Sequence, residues 1–418
     1  MSVSPAVSPI ALDQLDLANF RQIEMVSETL RQSALSGVVA EWAQHPPFYA
    51  WRSGLPVTVC ARGCDVRELY SDSNRFTVVA PDIPGYKVFD IFGGLESVLQ
   101  MDGERHARIR RLMTPAFTPA AIARLEQAIE AIIENKLDAI VAKGSHFDAM
   151  TDFAHDIIVK VLLDASFELT PKQQKIFSNM NDAISLATEF EPGKSLPNDF
   201  LQAVGDVQQV ITEIVAERRK NPGNDMISLL VTARDEGSGM TDAELFGQIN
   251  SICSAGLGTT AAVIVNALHA LVTHPNQKAL LEQNPELISS TVEECLRFCG
   301  PGIHAFTRFA TEDTTVGGVK ILKDMPIIGA IQAAGFDSEE FDEPMRFDIT
   351  RPPKPILAFG IGSHHCIGSR LGRLIMKKSL LAIIRRLPNL RLADENFTPV
   401  YRGFPGELSM KSLPLCYG

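Results

Sequence analysis

Thr241-Asp-Ala-Glu244 opens a pattern that stays helical until Pro275, and this run restricts the fold more than any other feature of the chain. Threonine and glutamate three apart form a capping box, each side chain satisfying the other residue's orphan amide. About 32 residues at 1.5 Å each span roughly 48 Å, the width of a whole domain. Residues 261–271 are apolar on most faces. A helix so long and so apolar has to be the buried centre of a larger helical body. A second helix has clear limits: Asn284-Pro285 supplies a cap and a first-turn proline, and Gly300-Pro301 stops it.

Two patches break the helical pattern. Within residues 47–90, Pro56-Val-Thr-Val-Cys60 and Phe76-Thr-Val-Val79 read as short strands among Gly and Pro, and within 307–331, Thr314-Thr-Val-Gly-Gly-Val319 reads as a hairpin with a glycine turn. With no internal repeat and few linker-like stretches, the expectation is a mainly α fold with a smaller β-rich region, in one domain over residues 1–418.

Composition excludes several classes of function. Lys+Arg number 39 against 50 Asp+Glu, a formal charge of −11 with no basic tract, which argues against nucleic-acid binding. Residues 1–20 hold no basic region followed by an apolar stretch, and the apolar run 261–272 is broken by Asn266 and His269, so neither a signal peptide nor a membrane anchor is expected. Seven thinly spread cysteines suit a reducing compartment. These features imply a cytoplasmic protein, expected as a monomer, and a chain of this length can enclose a large cofactor.

The chemistry concentrates in Phe359-Gly-Ile-Gly-Ser-His-His-Cys-Ile-Gly368. Three glycines around one cysteine imply a backbone that turns sharply and approaches something flat or bulky. An amphipathic run from residue 369 puts Cys366 at a helix N-terminus, where the dipole and unpaired amides favour a thiolate able to ligate iron. The same residues admit a structural cysteine in a turn, a zinc site with His364 and His365, or a Cys-His nucleophile. Consecutive residues converge poorly on one tetrahedral ion, and a nucleophile does not require the glycines.

Phe-Gly-x-Gly-x-His-x-Cys-x-Gly resembles the haem-binding loop of the cytochrome P-450 family, in its soluble bacterial form, and further segments agree in order from about residue 50 onward. The resemblance implies haem b, iron protoporphyrin IX, with Cys366 as axial thiolate and Phe359, Gly360, Gly368 and Ala255 against the cofactor. It implies propionate contacts from His106, Arg110, Arg308 and His364. Glu294-Cys-Leu-Arg297 resembles the family's Glu-x-x-Arg pair, with a third partner expected near Arg346. Their role would be structural, locking the cysteine loop.

Ala255-Gly-Leu-Gly-Thr-Thr260 resembles the oxygen-activation segment, in which Gly256 and Gly258 would let the helix open and Thr259 would present its hydroxyl to dioxygen. Gly258 departs from the family, which usually carries an acid there to relay protons. Either water and Thr259 suffice, or Asn250 or the substrate helps, or the reaction does without that relay.

The substrate pocket is expected from Tyr86, Phe89, Phe92, Phe190, Ile252, Cys253, Ala255, Ile303, His304, Phe306 and Phe404, which suits a small hydrophobic compound. Arg110, Arg111, Arg370, Arg373, Lys377 and Lys378 would form a basic patch on the cysteine side for an acidic electron donor, ferredoxin-type or flavin. The implied function is a haem-thiolate monooxygenase that inserts one atom of O2 into a terpenoid or aromatic substrate. Peroxide-dependent or other haem-thiolate chemistry, and a non-catalytic haem- or ligand-binding protein, are the alternatives.

Overall fold

In the computed structural model the capping box forms: Thr241 Oγ1 accepts from Glu244 N at 3.2 Å, and Glu244 Oε2 accepts from Thr241 N at 2.9 Å. The helix Asp242–Thr273 that follows has 32 residues. The structure describes residues 10–25, 27–33, 37–52, 54–81, 96–187, 198–304, 306–402 and 406–418. By length and composition the helix would cross a membrane, but 61% of its most apolar window is buried inside the molecule. Helices Ile288–Cys299, Ser369–Arg386, Asn198–Lys220 and His155–Val159 pack around it, as does the short strand Ser409–Met410. Each leucine or isoleucine it buries stabilises the fold by about 1.5–3 kcal/mol.

The second helix keeps its limits. A single turn, Pro285–Leu287, leads into Ile288–Cys299, and Gly300 leaves helical geometry. Its apolar face, with Val292, Cys295 and Leu296, is buried.

The two strand patches pair into one sheet. Its order is Phe20–Glu24, Phe48–Arg52, Leu55–Cys60, Pro326–Gly329, Arg308–Ala310, Phe76–Thr77. Leu55–Cys60 pairs antiparallel with Phe48–Arg52 and parallel with Pro326–Gly329, and is buried along its whole length. That pairing carries Arg308 from the second patch to the edge of the cysteine side. The hairpin Thr314–Val316 to Val319–Ile321 turns on Gly317 and Gly318, with φ of 54° and 82°. A two-residue turn with both φ positive matches the twist of its strands.

Some strands were not readable from pattern. Phe20–Glu24 extends the sheet outside residues 47–90, and the pairs of Pro414–Cys416 with His146–Asp148 and of Tyr401–Arg402 with Ser409–Met410 lie far from either patch. Strands of two or three residues are too short for alternation to register.

Candidate active site

Gly360 and Gly362 bend the cysteine loop, with φ of 67° and 74°. A Cβ at Gly362 would lie 2.4 Å from the carbonyl oxygen of Tyr70, so the turn also needs a residue without a side chain there. The Cys366 amide donates to Phe359 O at 2.9 Å, closing the loop, and Ser369 N donates to Cys366 O at 3.3 Å where the helix Ser369–Arg386 begins. The Arg373 guanidinium lies 4.4 Å from the centre of the Phe359 ring. A cleft between this loop and the long helix is lined by Thr259, Thr260, Val263, Pro301 and Phe359.

The helix N-terminus does not by itself make Cys366 a thiolate. Cys366 is exposed, yet desolvation by its surroundings still pushes the thiol up, against the amides of Gly368 and Ser369 and the charges of Arg110 and Arg373, which pull it down. This corrects the expectation from the dipole. It also weakens the Cys-His nucleophile, which needs a lowered pKa, whereas a metal cation at Sγ would supply the missing compensation. Among the described residues no group of three His, Cys, Asp or Glu side chains is placed to hold a metal ion, so the adjacent histidines do not complete a zinc site.

Two arginines and two histidines gather on the same side. His106 and Arg110 stand one turn apart on the helix Gly103–Met113, and the His106 ring stacks on His364 with centroids 4.2 Å apart. His364 Nε2 is 2.9 Å from Asp102 Oδ1. Burial, with His364 and Arg110 adding to it, takes His106 down to about 4, so the ring is neutral. Its Nε2 is buried with no hydrogen-bond partner among the described residues. Arg308 is 5% exposed, forms no ion pair among the described residues, and lies over Tyr70 at 4.9 Å. Burial lowers its pKa and that of Arg110, which donates to the His365 carbonyl.

A buried guanidinium without an anion is costly. Arg308, buried, and Arg110, half-buried, beside the His106 imidazole fit the two carboxylates of a flat cofactor. Arg308→Met is therefore expected to raise the melting temperature of the haem-free chain while weakening haem retention at least about tenfold; melting of both forms and haem transfer to apomyoglobin check it, and a fall in both would contradict it.

Asp102 was missed in the sequence. Against the penalty of burial, bonds from His364, Thr77 Oγ1 (2.6 Å) and Val78 N (2.7 Å) hold its carboxyl below the ordinary range. Its only sequence signal is its place just before Gly103.

On the long helix, residues 255–260 remain α-helical, so the expected local opening at Gly256 and Gly258 does not occur. Thr259 Oγ1 instead donates to the Ala255 carbonyl one turn back, at 2.6 Å. Ala255 and Thr259 are both exposed, and Thr259 borders the cleft. Asn266, noted in the sequence only as a break in an apolar run, donates to Cys299 O at 3.2 Å and Leu408 O at 2.9 Å.

Glu294 and Arg297 form a bidentate pair, both bonds 2.7 Å, and are nearly fully buried. Arg297 also donates to the carbonyls of Gly335, Pro344 and Arg346. The third cation is Arg351, whose Nε is 3.2 Å from Glu294 Oε1. Arg346 is corrected: its side chain points away to Glu343 and Asp348 and is 57% exposed, and only its carbonyl joins the network. Arg351 lies beyond the Glu-Pro-Met-Arg-Phe motif, where nothing local marks it.

Residues 43–390 match the family model for cytochrome P450. The chain belongs to the cytochrome P450 family. It is 31% identical over 353 residues, 84% of each chain, to a cytochrome P450 of Priestia megaterium, and 30% identical to the mycinamicin IV hydroxylase/epoxidase of Micromonospora griseorubida, with 83% of this chain and 85% of that one covered. Among solved structures it resembles the bacillaene polyketide synthase cytochrome P450 PksS of Bacillus subtilis, with TM-score 0.86, 26% identity, and 95% and 100% of the two chains covered. The mainly α fold with its smaller sheet is the P450 fold, and the chain is a cytochrome P450 monooxygenase.

Parts of this P450's expected pocket can be located. Ile303 is buried, Ile252 and His304 are half-buried, and Cys253 is buried with its thiol pushed well up by desolvation. Phe306 is 50% exposed. Tyr86, Phe89, Phe92, Phe190 and Phe404 lie outside the described residues.

The basic patch is smaller than its sequence count. Arg111 pairs with Asp235, Arg373 with Glu293, and Lys378 with Glu126 and Glu130. Arg370 and Lys377 form no ion pair among the described residues. The acids that neutralise the other three lie far away in sequence, so a count along one helix could not see them.

Proposed function

We propose that this P450 binds haem b with Cys366 as its axial thiolate and inserts one atom of O2 into a small hydrophobic substrate of the terpenoid or aromatic class. The two electrons come from an external ferredoxin-type or flavin donor. The observation that carries the reading is that buried Arg308 and half-buried Arg110 form no ion pair among the described residues and stand beside a His106 Nε2 that has no hydrogen-bond partner among them. When bound, the haem supplies electron transfer and a thiolate-ligated iron that favours O–O cleavage.

The chain's own residues do the rest. Arg308, Arg110, His106 and His364 would hold the two propionates, and Gly360 and Gly362 let the Cys366 loop turn sharply. Thr259 keeps its hydroxyl proton on the Ala255 carbonyl and its oxygen lone pairs free toward the cleft. Ile252 and Ile303 supply apolar wall that excludes water. Arg370 and Lys377, with Arg110, give an acidic donor a landing point. We read the chain as one domain, acting as a cytoplasmic monomer.

Gly258, which can carry no proton, favours a second reading in which peroxide replaces O2 and the donor. A panel of terpenoids, aromatics and aromatic acids, screened for a shift in haem absorption and then for turnover, tests both. A terpenoid or aromatic ligand oxidised with reduced ferredoxin is the expected result. Oxidation with peroxide alone would replace it by the second reading, and no response from either class would overturn the substrate assignment.

A further inference from the structure

A Cβ added to Gly258 would lie 3.3 Å from Oε1 of Glu407. A carboxylate from the C-terminal segment thus rests beside the position where the family usually carries an acid. The backbone that bears it is tied on both sides. Ile303 N donates to Gly406 O at 2.6 Å, Leu408 N donates to Pro301 O at 2.8 Å, and Gly302 and Glu407 form an antiparallel bridge. Asn266 of the long helix, bonded to Leu408 O, fixes the same segment to the helix that Glu407 approaches. A larger residue at 258 would require the Glu407 carboxylate to give way.

The helix face leading to Gly258 is polar as well. Ser254 and Asn250 precede it by one and two turns, about 6 Å per step. Ser254 Oγ and Asn250 Oδ1 are buried without a hydrogen-bond partner among the described residues. Bridging waters at these two atoms would relieve both.

We propose that Glu407 takes over the role of the acid absent at 258: its carboxyl holds the proton that passes to the Thr259 hydroxyl, and Ser254 and Asn250 order the water that reloads it. This rests on the monooxygenase reading. That reaction, RH + O2 + 2 H⁺ + 2 e⁻ → ROH + H2O, takes its electrons from the ferredoxin-type or flavin donor and its protons from bulk water. Glu407 gives up a proton and regains one at each transfer, ending as it began. The helix carries no carboxyl at 258, and the C-terminal segment places one beside that position.

Two measurements test it. The first needs no turnover. Gly258→Asp and Gly258→Asn differ little in size, but only aspartate sets a second charge against Glu407. In the full chain the aspartate variant should melt about 1–3 °C below the asparagine variant, and Glu407→Gln should remove the difference. Equal melting in the presence of Glu407 overturns the juxtaposition. In the second, the haem-loaded Glu407→Gln variant should recover about tenfold fewer donor electrons in product, release peroxide and show a larger solvent isotope effect. Glu407→Asp should restore part of the loss, as should Gly258→Asp combined with Glu407→Gln. Unchanged coupling and isotope effect overturn the proton role. A wild-type chain that oxidises nothing with O2 and a donor, yet keeps the melting difference, would overturn the monooxygenase reading and the proton role with it, while the juxtaposition stands.

Discussion

Arg297→Ala is expected to abolish the soluble folded chain, because it leaves the Glu294 carboxylate buried with half its partners gone. Removing one member of a buried pair costs about 3–5 kcal/mol, against a total stability on the order of 5–15 kcal/mol. Arg297 also satisfies the carbonyls of Gly335, Pro344 and Arg346, so its loss frees three more polar groups. These carbonyls lie on the chain that leads from the sheet to the cysteine loop, and the loop should lose its register with them. Arg346→Ala should cost less than about 1 kcal/mol, as exposed pairs do, since that side chain reaches only Glu343 and Asp348 at the surface. Soluble yield and thermal melting of the two variants decide the matter. Comparable losses for both would contradict the assignment of Arg351, rather than Arg346, as the third cation.

Cys366→Ser has the largest expected effect on activity. The loop should survive, because its closure is a main-chain bond from residue 366 to Phe359 and the bends belong to Gly360 and Gly362. The variant should therefore fold, with melting of the haem-free chain within about 1–2 °C of wild type. Serine cannot provide a thiolate, so O2-dependent turnover should fall by about three orders of magnitude or more. A variant that folds and still oxidises substrate would place the chemistry elsewhere. Replacement of Cys60, Cys253 or Cys295 should leave turnover close to wild type. They are buried, Cys60 and Cys253 by desolvation and Cys295 through its bond with Cys299 and its burial, and these causes hold their thiols high.

What could be read in the sequence was local and periodic. The long helix, its capping box, the Pro-Gly limits of the helix Ile288–Cys299 and the Gly317-Gly318 hairpin depend on residues within a few positions of one another, and each appears where the pattern puts it. The cysteine loop was legible because its glycines answer to left-handed backbone at fixed offsets. Features that depend on distant partners were not. Asp102 under His364, Arg351 on Glu294, the acids that neutralise Arg111, Arg373 and Lys378, and Glu407 beside Gly258 all join residues that share no sequence window. The dipole argument for Cys366 is incomplete for a related reason: the amides do pull the thiol down, but the desolvation that pushes it up is set by the whole surrounding fold.

The central claim, that Cys366 would bind haem iron as a thiolate, is tested most directly by the absorption of the reduced carbonyl complex. The wild-type chain loaded with haem should absorb at about 450 nm, as a thiolate ligand requires, and Cys366→Ser should lose that band. A wild-type complex without it, or a serine variant that keeps it, would contradict the account.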